Sequence, residues 1–158
     1  VLENELPRTR RPRHRFAVPM GDLDLFNQYN DAYEHPAGDP VLKRIGAIMR
    51  ETSRDVDFVA RYGGEEFLLM MPETEIEGAI QVAERIRKKI ESDSLPVGSI
   101  SVSFGVATYP GHGDSAEVLI AAADAALYEA KHAGGNRVIA AARPRARTRV
   151  PARKVPSE

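Results

Sequence analysis

The sequence predicts an α+β domain in which a mostly antiparallel sheet is flanked by helices. Apolar segments typical of strands and longer segments with helical periodicity follow one another along the chain. Two strand-like segments, 57–62 and 66–71, are joined by Gly63-Gly64, which is typical of a β-hairpin. Because this hairpin interrupts strict βα alternation, we expect an antiparallel sheet with one face covered by helices.

The elements are expected in the order β-α-α-β-β-α-β-α-β. In the first half of the chain, the apolar segment 16–20 predicts a strand and 25–33 a short helix. The segment 35–38 is expected to be a loop. Asp39 and Pro40 have the pattern of an N-cap and a first helical residue, so the next helix is expected to begin there.

The second half of the chain contains two helix-start signals. The segment 74–77 is a capping-box signature in front of a long helix with one apolar face. Alternation of apolar with small or polar residues over 100–106 predicts a half-buried strand. A capping pair within 114–117 predicts the start of the last helix. This helix is expected to end at 134–135, before a short strand at 137–141.

Length and composition suit one domain with an ordinary core, since 42% of the 158 residues are hydrophobic and 28% are charged. We expect the folded domain at 16–141, a flexible basic segment at 1–15 and a disordered tail rich in Arg and Pro at 142–158. The sequence contains no cysteine, which excludes disulfides, cysteine-ligated zinc and thiol catalysis.

Charge and hydropathy restrict the partners that we expect. The formal net charge is -1, so there is no overall electrostatic case for nucleic acid. No apolar run in the sequence reaches the length of a membrane span, and the first residues lack the pattern of a signal peptide. We therefore expect a cytoplasmic domain that itself binds neither nucleic acid nor membrane, with the cytoplasmic output of a longer or membrane-anchored protein as the alternative. The basic ends leave a nucleic-acid-binding scaffold as the lowest-ranked alternative.

The residues that can carry chemistry lie at the hairpin and at the end of the first strand. Gly63-Gly64 allow a tight turn and the close approach of a ligand, and Glu65 and Glu66 follow at once. If the first strand lies beside the hairpin, Asp22 and Glu65 converge on one point. Hard oxygen ligands at a strand end suit Mg²⁺ and the phosphate oxygens it binds. The alternative is a plain hairpin turn with a solvated acidic tip.

An ordered set of short motifs resembles the GGDEF domain family of diguanylate cyclases, in its GGEEF form. In chain order within 16–141 the matches are Asp22-Leu23-Asp24-Leu25-Phe26, Asn30-Asp31, Tyr33 with His35, Gly38 and Asp39, Gly63-Gly64-Glu65-Glu66-Phe67, Ser103-Phe104-Gly105-Val106-Ala107, Asp124 with Ala126, Leu127, Tyr128, Ala130 and Lys131, and Asn136-Arg137-Val138. A lone five-residue match is weak, whereas an ordered set at family spacing is specific. The resemblance implies a fold similar to that of nucleotidyl cyclases and polymerase palm domains.

The resemblance also implies a reaction, in which two GTP molecules are condensed into cyclic di-GMP with release of pyrophosphate. The cofactor would be Mg²⁺, with Mn²⁺ as an alternative, and the active unit would be a homodimer in which each domain holds one GTP. The implied catalytic residues are Asp22, Glu65 and Glu66. The implied metal ligands are Asp22, Glu65 and the carbonyl of Leu23. The implied substrate-binding residues are Phe26, Asn30, Asp39, Gly63, Gly64 and Lys131.

A second site is implied by Arg54 and Asp57, which match the R-x-x-D pattern of the family's inhibitory product site. An arginine fork suits phosphate and the edge of guanine, and an aspartate accepts from a guanine nitrogen. Arg85, on the following helix, matches a secondary arginine of that site. The resemblance therefore implies inhibition by cyclic di-GMP. The alternative is an ordinary local ion pair that contributes little.

Some positions depart from the family pattern. Asn27 and Gly135 stand where the family has cations, and Pro19 interrupts the first strand. Each lost cation would weaken GTP binding by about 1.5–3 kcal/mol. The second-ranked alternative is therefore a catalytically weak module that binds GTP or cyclic di-GMP as a signalling effector.

Overall fold

The structure, a computed structural model, describes residues 15–24, 35–93 and 100–142, and the side chains of 35–39 lie outside that description. In chain order the described elements are β1 (Phe16–Leu23), α1 (His35–Thr52), β2 (Phe58–Arg61), β3 (Glu66–Pro72), α2 (Ile76–Ser92), β4 (Val102–Tyr109), α3 (Ala116–His132) and β5 (Val138–Ala140). The expected helix at 25–33 lies outside the described residues. The α+β class is confirmed. Among the described helices, none is long and apolar enough to cross a bilayer.

The described strands form a five-stranded sheet in the order β2-β3-β1-β4-β5. The central strand, β1, is antiparallel to both β3 and β4, and β2 and β3 form the hairpin that the sequence predicts. Among the described strands, β5 alone runs parallel to its neighbour, β4. The sheet is therefore mostly antiparallel, and the strand that carries Asp22 lies in its middle.

Pro19 lies within this central strand. β1 pairs with β4 without interruption from Phe16 to Leu23. On the other side, the residues of β1 that pair with β3 are 16–17 and 20–22, so the pairing stops at Val18 and Pro19. Because proline has no N–H to donate, a gap in one of the two ladders is the expected cost. The strand continues through Pro19 because its pairing with β4 is complete.

Helices cover both faces of the sheet, which corrects the expectation that one face is covered. One core lies under α1 and α2, and its members include Leu23, Ile45, Ile86 and Phe104. The other core lies under α3, and its members include Phe16, Met20, Leu119 and Leu127. β4 is therefore buried along its whole length and is not half-buried, contrary to the expectation for 100–106.

Two helices begin at residues other than the expected ones. α1 begins at His35, so 35–38 is helical and not a loop. Pro36 can occupy the first turn because the N–H groups there have no acceptor within the helix. α3 is capped by Ser115, whose side chain accepts from the Val118 N–H at 3.3 Å. Ser115 lies within the expected segment 114–117, but the reciprocal capping pair is replaced by a single serine cap.

The capping box expected at 74–77 is wrong for α2. The N-cap of this helix is Glu75, which makes no side-chain capping hydrogen bond. The Thr74 hydroxyl is engaged elsewhere, because it accepts from Arg54 at 2.6 Å and donates to the Pro72 carbonyl oxygen at 2.8 Å. Thr74 therefore joins the loop before α2 to Arg54.

α3 packs closely on β4 because Gly105 has no side chain. A Cβ atom on Gly105 would lie 2.1 Å from the carbonyl oxygen of Ala123 and 2.3 Å from the amide nitrogen of Leu127. Real Cβ atoms do not approach backbone atoms this closely, so glycine is required at this crossing. The close packing brings the last turn of α3, with Lys131, to the end of β1.

Candidate functional site

Asp22 lies where β1, β3 and β4 meet at one end of the sheet. It is directly opposite Glu66 on β3 and Ser103 on β4. Side chains at alternate strand positions share a face, so Asp22 lies on the same face as Met20, which packs under α3. The Leu23 N–H donates to the Glu65 carbonyl oxygen at 3.4 Å. The structure thus brings Asp22, Glu65 and Glu66 to one strand end.

The hairpin tip is fixed by backbone and arginine contacts. The Tyr62 N–H donates to the Glu66 carbonyl oxygen at 2.8 Å, and the Arg61 guanidinium donates to the Gly64 carbonyl oxygen at 2.6 Å. A Cβ atom on Gly64 would meet no atom within 4 Å, so a ligand can approach the tip. A Cβ atom on Gly63 would lie 3.3 Å from Glu66 Oε1, so this carboxylate folds back against the tip.

The Asp22 carboxylate is short of compensating charge. Its Oδ1 is buried and has no hydrogen-bond partner among the described residues. Burial raises the pKa of Asp22 to about 6, against the opposing effect of Lys131 and with added repulsion from Glu65 and Glu66. A desolvated carboxylate beside two others favours a proton or a cation. This strand end therefore needs positive charge.

Lys131 brings one cation to this strand end from the last turn of α3. Its Nζ donates to the Leu23 carbonyl oxygen at 2.8 Å. The same Nζ lies 3.5 Å from Asp22 Oδ2 and 3.2 Å from Asp24 Oδ1. The ammonium therefore offsets part of the negative charge. Because the lysine stem is flexible, the ammonium can also turn toward the phosphates of a bound nucleotide.

Asp24, which directly follows β1 and lies two residues after Asp22, is fully hydrogen-bonded. Its carboxylate accepts from Ser101 Oγ at 2.5 Å, Ser103 Oγ at 2.8 Å and the Asn136 N–H at 2.9 Å. Burial acts to raise the pKa of Asp24, but these hydrogen bonds outweigh it and the pKa is lowered. Asp22 and Asp24 therefore have pKa shifts in opposite directions, and Asp24 is the more firmly ionised of the two.

The cluster suits a divalent cation that takes part of its ligands from outside the protein. In the described part of the chain, no three His, Cys, Asp or Glu side chains form a metal site by themselves. Asp22, with its unpartnered oxygen, lies beside Glu65 and the Leu23 carbonyl, and all three offer hard oxygen atoms. Mg²⁺ commonly binds one or two carboxylates and completes its shell with water and phosphate oxygens. These residues therefore fit Mg²⁺ or Mn²⁺ bound together with a nucleotide.

A groove of about 360 Å³ lies between the hairpin and α3, next to this cluster. Its lining includes Met20, Tyr62, Glu66, Glu117, Ile120 and Asp124. Three of these side chains are carboxylates, so the groove favours groups that donate hydrogen bonds over bare phosphate. The groove thus differs in chemistry from the strand end, where Lys131 is the neighbouring cation.

Two of the substrate-binding residues implied by the sequence, Phe26 and Asn30, lie outside the described residues. Asp39 lies in the first part of α1, and its side chain is also outside the description. The guanine contacts expected of Asn30 and Asp39 therefore stay predictions. Of the expected substrate-binding residues, Lys131, Gly63 and Gly64 are those whose surroundings the structure defines.

Arg54 and Asp57 bind each other in the loop between α1 and β2. Arg54 donates to the Asp57 carboxylate through its backbone N–H at 2.9 Å, Nε at 3.2 Å and Nη2 at 2.8 Å. Asp57 is 2% exposed, whereas the Arg54 side chain is 48% exposed. Arg85 is exposed on α2, and within the described residues no hydrogen bond or ion pair joins it to this pair. The local ion pair is formed, and it leaves part of the guanidinium open to solvent.

Sequence reasoning does not identify Ser101 and Ser103 as part of the site, because it assigns them to polar positions of a half-buried strand. In the structure Ser103 is fully buried and donates to Asp24. The available signal is the spacing of two residues on both strands. Asp22 and Asp24 are two residues apart at the end of β1, and Ser101 and Ser103 are two residues apart at the start of β4.

Comparison with known proteins places the chain among domains with this architecture. The family model described as "Diguanylate cyclase, GGDEF domain" matches residues 1–137. Diguanylate cyclase A of Treponema denticola is 41% identical over 130 residues, which cover 80% of this chain and 35% of that protein. The response regulator PleD of Caulobacter vibrioides is 36% identical over 124 residues, which cover 75% of this chain and 27% of that protein. The chain thus spans about a third or less of these relatives.

Solved structures agree with this family. The GGDEF domain of YfiN from Pseudomonas aeruginosa has a TM-score of 0.84 at 34% identity, covering 89% of this chain and 91% of that one. The active GGEEF domain of a diguanylate cyclase from Vibrio cholerae has a TM-score of 0.83 at 28% identity, covering 90% and 95%. The GGDEF domain of DgcB from Caulobacter crescentus, in complex with c-di-GMP, has a TM-score of 0.82 at 31% identity, covering 88% and 85%. The chain belongs to the GGDEF domain family.

Proposed function

We propose that this chain is the catalytic domain of a diguanylate cyclase, which condenses two GTP molecules into cyclic di-GMP and releases pyrophosphate. The observation that carries the proposal is the meeting of Asp22, Glu65 and Glu66 with the Lys131 ammonium at one strand end beside an open glycine tip. The family membership and the names of the relatives support the same reaction.

In each step, the 3′-hydroxyl oxygen of one GTP attacks the α-phosphorus of the other. A new P–O bond forms, the bond to the β-phosphate oxygen breaks, and pyrophosphate leaves in line with the attack. The hydroxyl proton passes to the carboxylate cluster, with Glu65 as the acceptor. Mg²⁺ held by Asp22, Glu65 and the Leu23 carbonyl would supply positive charge that favours the alkoxide and the departing pyrophosphate.

Lys131 and the glycine tip have separate tasks in this proposal. Lys131 lies at the end of α3 with Nζ at the Leu23 carbonyl, within reach of phosphates bound over the hairpin. Its ammonium would neutralise the β- and γ-phosphates. Gly64 leaves the tip free of a Cβ atom, so the triphosphate can approach the backbone. Glu66, opposite Asp22, would assist at the metal or at the guanine.

A homodimer completes the proposed active unit, because each domain binds one GTP and the bond forms between two of them. Two copies related by a two-fold axis would present one nucleotide each to the other. Two successive attacks then close the ring and release two pyrophosphates. Below the dimer dissociation constant, the rate of cyclic di-GMP formation should then rise with the square of the protein concentration, and such a dependence would support this arrangement.

The experiment that tests the reaction is incubation of the purified chain with GTP and Mg²⁺, followed by chromatography for cyclic di-GMP. We expect product from the parent chain and a loss of about a hundredfold or more in the Glu65→Gln variant. Glu77→Gln, an exposed change in the first turn of α2, is the matched control and should keep the parent rate. Absence of product from concentrated parent protein would contradict the enzyme assignment.

The proposal includes inhibition by the product at Arg54, Asp57 and Arg85. The exposed part of the Arg54 guanidinium and the exposed Arg85 support it, since both can donate to phosphate. Arg85→Ala leaves the core untouched and should raise the concentration of cyclic di-GMP needed for half-inhibition. Lys88→Ala, on the same helix, is the control. Unchanged product binding in Arg85→Ala and in Arg54→Ala with Asp57→Ala would refute this part.

A weak or inactive module that binds GTP or cyclic di-GMP is the second candidate. It is favoured by Gly135, which stands where the family has a cation and lies against the Asp24 carboxylate with a φ of +75°. A side chain at this position would be strained, so the backbone conformation of the loop favours a glycine here over the family's cation. Nucleotide binding without any product, measured by titration of the parent chain, would favour this candidate over the enzyme.

A further inference from the structure

The Asp24 carboxylate is the centre of a hydrogen-bond cluster that joins three segments of the chain. Ser103 Oγ and Lys131 Nζ contact its Oδ1 at 2.8 and 3.2 Å. Ser101 Oγ and the Asn136 N–H contact its Oδ2 at 2.5 and 2.9 Å. Both oxygens therefore accept from three parts of the chain: the start of β4 with the residue before it, the end of α3, and the loop after α3. A carboxylate bound in this way has a fixed orientation.

The loop after α3 is shaped around this carboxylate. A Cβ atom on Gly135 would lie 3.0 Å from Asp24 Oδ1, and Gly135 has a φ of +75°. Asn136, which donates its N–H to Asp24, has a φ of +52°. Left-handed backbone at a residue other than glycine has a cost that its contacts must offset. Here the contacts are those that Asn136 makes with Asp24.

The same loop is tied to α2 on its other side. The Asn136 side chain accepts from Arg87 Nη1 at 2.9 Å and donates to Glu91 Oε2 at 2.9 Å. Arg87 is in turn held by Glu84 at 2.8 Å. Asp24 therefore belongs to a rigid frame that extends from β1 to α2. Lys131 is the one long, flexible side chain attached to the Asp24 end of this frame, within the residues that the structure describes.

Lys131 needs such a frame because an unrestrained lysine ammonium samples many positions. Its Nζ is closer to Asp24 Oδ1, at 3.2 Å, than to Asp22 Oδ2, at 3.5 Å. Its remaining described contact is the Leu23 carbonyl at 2.8 Å. The Leu23 carbonyl and Asp22 are proposed metal ligands, so Asp24 is the acceptor among these three that still holds the ammonium when a metal is bound. Fixing a charged group before the ligand arrives lowers the entropy cost of binding.

We propose that Asp24 is a positioning residue for the reaction: it holds the Lys131 ammonium at the strand end where the β- and γ-phosphates of the nucleotide bind. Asp24 acts through Lys131 and does not itself touch the substrate. The part of this inference that concerns phosphate binding rests on the proposed function, because that function supplies the nucleotide. The other part, the restraint of Lys131 by Asp24, does not depend on a nucleotide.

The restraint of Lys131 by Asp24 is tested, without nucleotide, by nuclear magnetic resonance of the lysine ammonium groups. The Lys131 signal is assigned by its loss in Lys131→Met. We expect it to be separate from the signals of exposed lysines in the parent chain and to merge with them in Asp24→Asn. Ser101→Ala, which keeps the charge of Asp24 but removes one of its donors, should shift the signal part of the way. An unchanged Lys131 signal in folded Asp24→Asn, or in Ser101→Ala if the first variant does not fold, overturns the proposal.

The role of Asp24 in phosphate binding is tested by comparing the affinity for GTP with that for GMP, which lacks the β- and γ-phosphates. We expect Asp24→Asn to weaken GTP binding about tenfold and to leave GMP binding unchanged. In the Lys131→Met background, Asp24→Asn should have no further effect on GTP. An equal loss for GTP and GMP, or independent losses in the double variant, overturns the proposal. If the parent chain binds no GTP, the proposed function fails, and the resonance experiment still decides whether Asp24 restrains Lys131.

Discussion

The Lys131 ammonium donates to the Leu23 carbonyl oxygen at 2.8 Å, so a lysine side chain engages a backbone atom that family resemblance assigns to a metal ion. The same ammonium lies 3.5 Å from Asp22 Oδ2. In the nucleotide-free protein, Lys131 and a divalent cation are therefore expected to compete for the same oxygens. Binding of a nucleotide would relieve the competition, because phosphates offer Lys131 another partner.

The first prediction concerns this competition. We expect Lys131→Met to bind Mn²⁺ about five- to tenfold more tightly than the parent chain when no nucleotide is present, equivalent to about 1–1.4 kcal/mol. The reason is the loss of a positive charge beside Asp22 and the release of the Leu23 carbonyl. Calorimetric titration measures both constants, and Lys88→Met is the control. Equal Mn²⁺ affinities in parent and Lys131→Met would show that the ammonium does not compete.

The second prediction concerns pH. Asp22 has a pKa of about 6 in the folded chain, above its ordinary value of 3.8, so folding favours its protonated form. This contribution to stability is complete below the ordinary pKa and is lost as the pH rises through about 6. We therefore expect metal-free Asp22→Asn to gain in melting temperature relative to the parent as the pH is raised from about 4 to about 7, with most of the gain below pH 6.

For Asp22→Asn and the parent, thermal unfolding is monitored by circular dichroism at several pH values with a chelator present. Asp55→Asn, at an exposed position, serves as the control and should track the parent at every pH. If the difference between Asp22→Asn and the parent is the same at every pH, Asp22 does not have the raised pKa. Addition of Mg²⁺ should reduce the difference, because the cation replaces the proton.

The third prediction concerns the crossing of α3 and β4. Gly105→Ala would place a Cβ atom 2.1 Å from the Ala123 carbonyl oxygen, and neither backbone can move away without loss of packing. We expect the free energy of unfolding to fall by about 1–3 kcal/mol or more, as for other overpacked cores. Gly64→Ala, with no atom within 4 Å of the new Cβ, should change it by less than about 0.5 kcal/mol. Urea denaturation of both variants gives the comparison.

The fourth prediction concerns Asp57. Its carboxylate is 2% exposed and accepts three hydrogen bonds from Arg54. We expect Asp57→Ala to lower the free energy of unfolding by about 1–3 kcal/mol, because the Arg54 donors lose a buried acceptor. Chemical denaturation measures the change. A stability equal to that of the parent would show that the buried pair does not stabilise the fold. The expected loss is also why Arg85→Ala, on the surface of α2, gives the cleaner test of product inhibition.

The sequence predicts the α+β class, the hairpin and the end of α3 well because each depends on local signals. Gly134 and Gly135 both have positive φ, as expected for a glycine helix stop. The two-faced coverage of the sheet and the complete burial of β4 are not predicted, since alternation in one strand does not reveal how many helices cover its faces. The helical start at His35 is missed because Asp39-Pro40 offers a competing local signal.

The candidate site is predictable to the extent that its residues lie in short motifs. Asp22, Glu65 and Glu66 are found because two strand ends carry acidic residues next to glycine. The restraint of Lys131 by Asp24 is not, since it joins residues 107 positions apart whose contact depends on the packing of α3. The same holds for Gly21, where a Cβ atom would lie 2.7 Å from the Phe104 ring. The ring fills space that a larger residue at position 21 would occupy.

The strand order β2-β3-β1-β4-β5 also has a consequence for how the chain is made. Of the described strands, β1 is synthesised first, but one of its neighbours ends at Pro72 and the other at Tyr109. The acidic strand end therefore stays without its second flank until most of the domain has been synthesised, and without Lys131 until later still. Pairings so distant in sequence form slowly. During translation, β1 is thus unpaired for longer than the other described strands, which exposes it to mispairing and to chaperones.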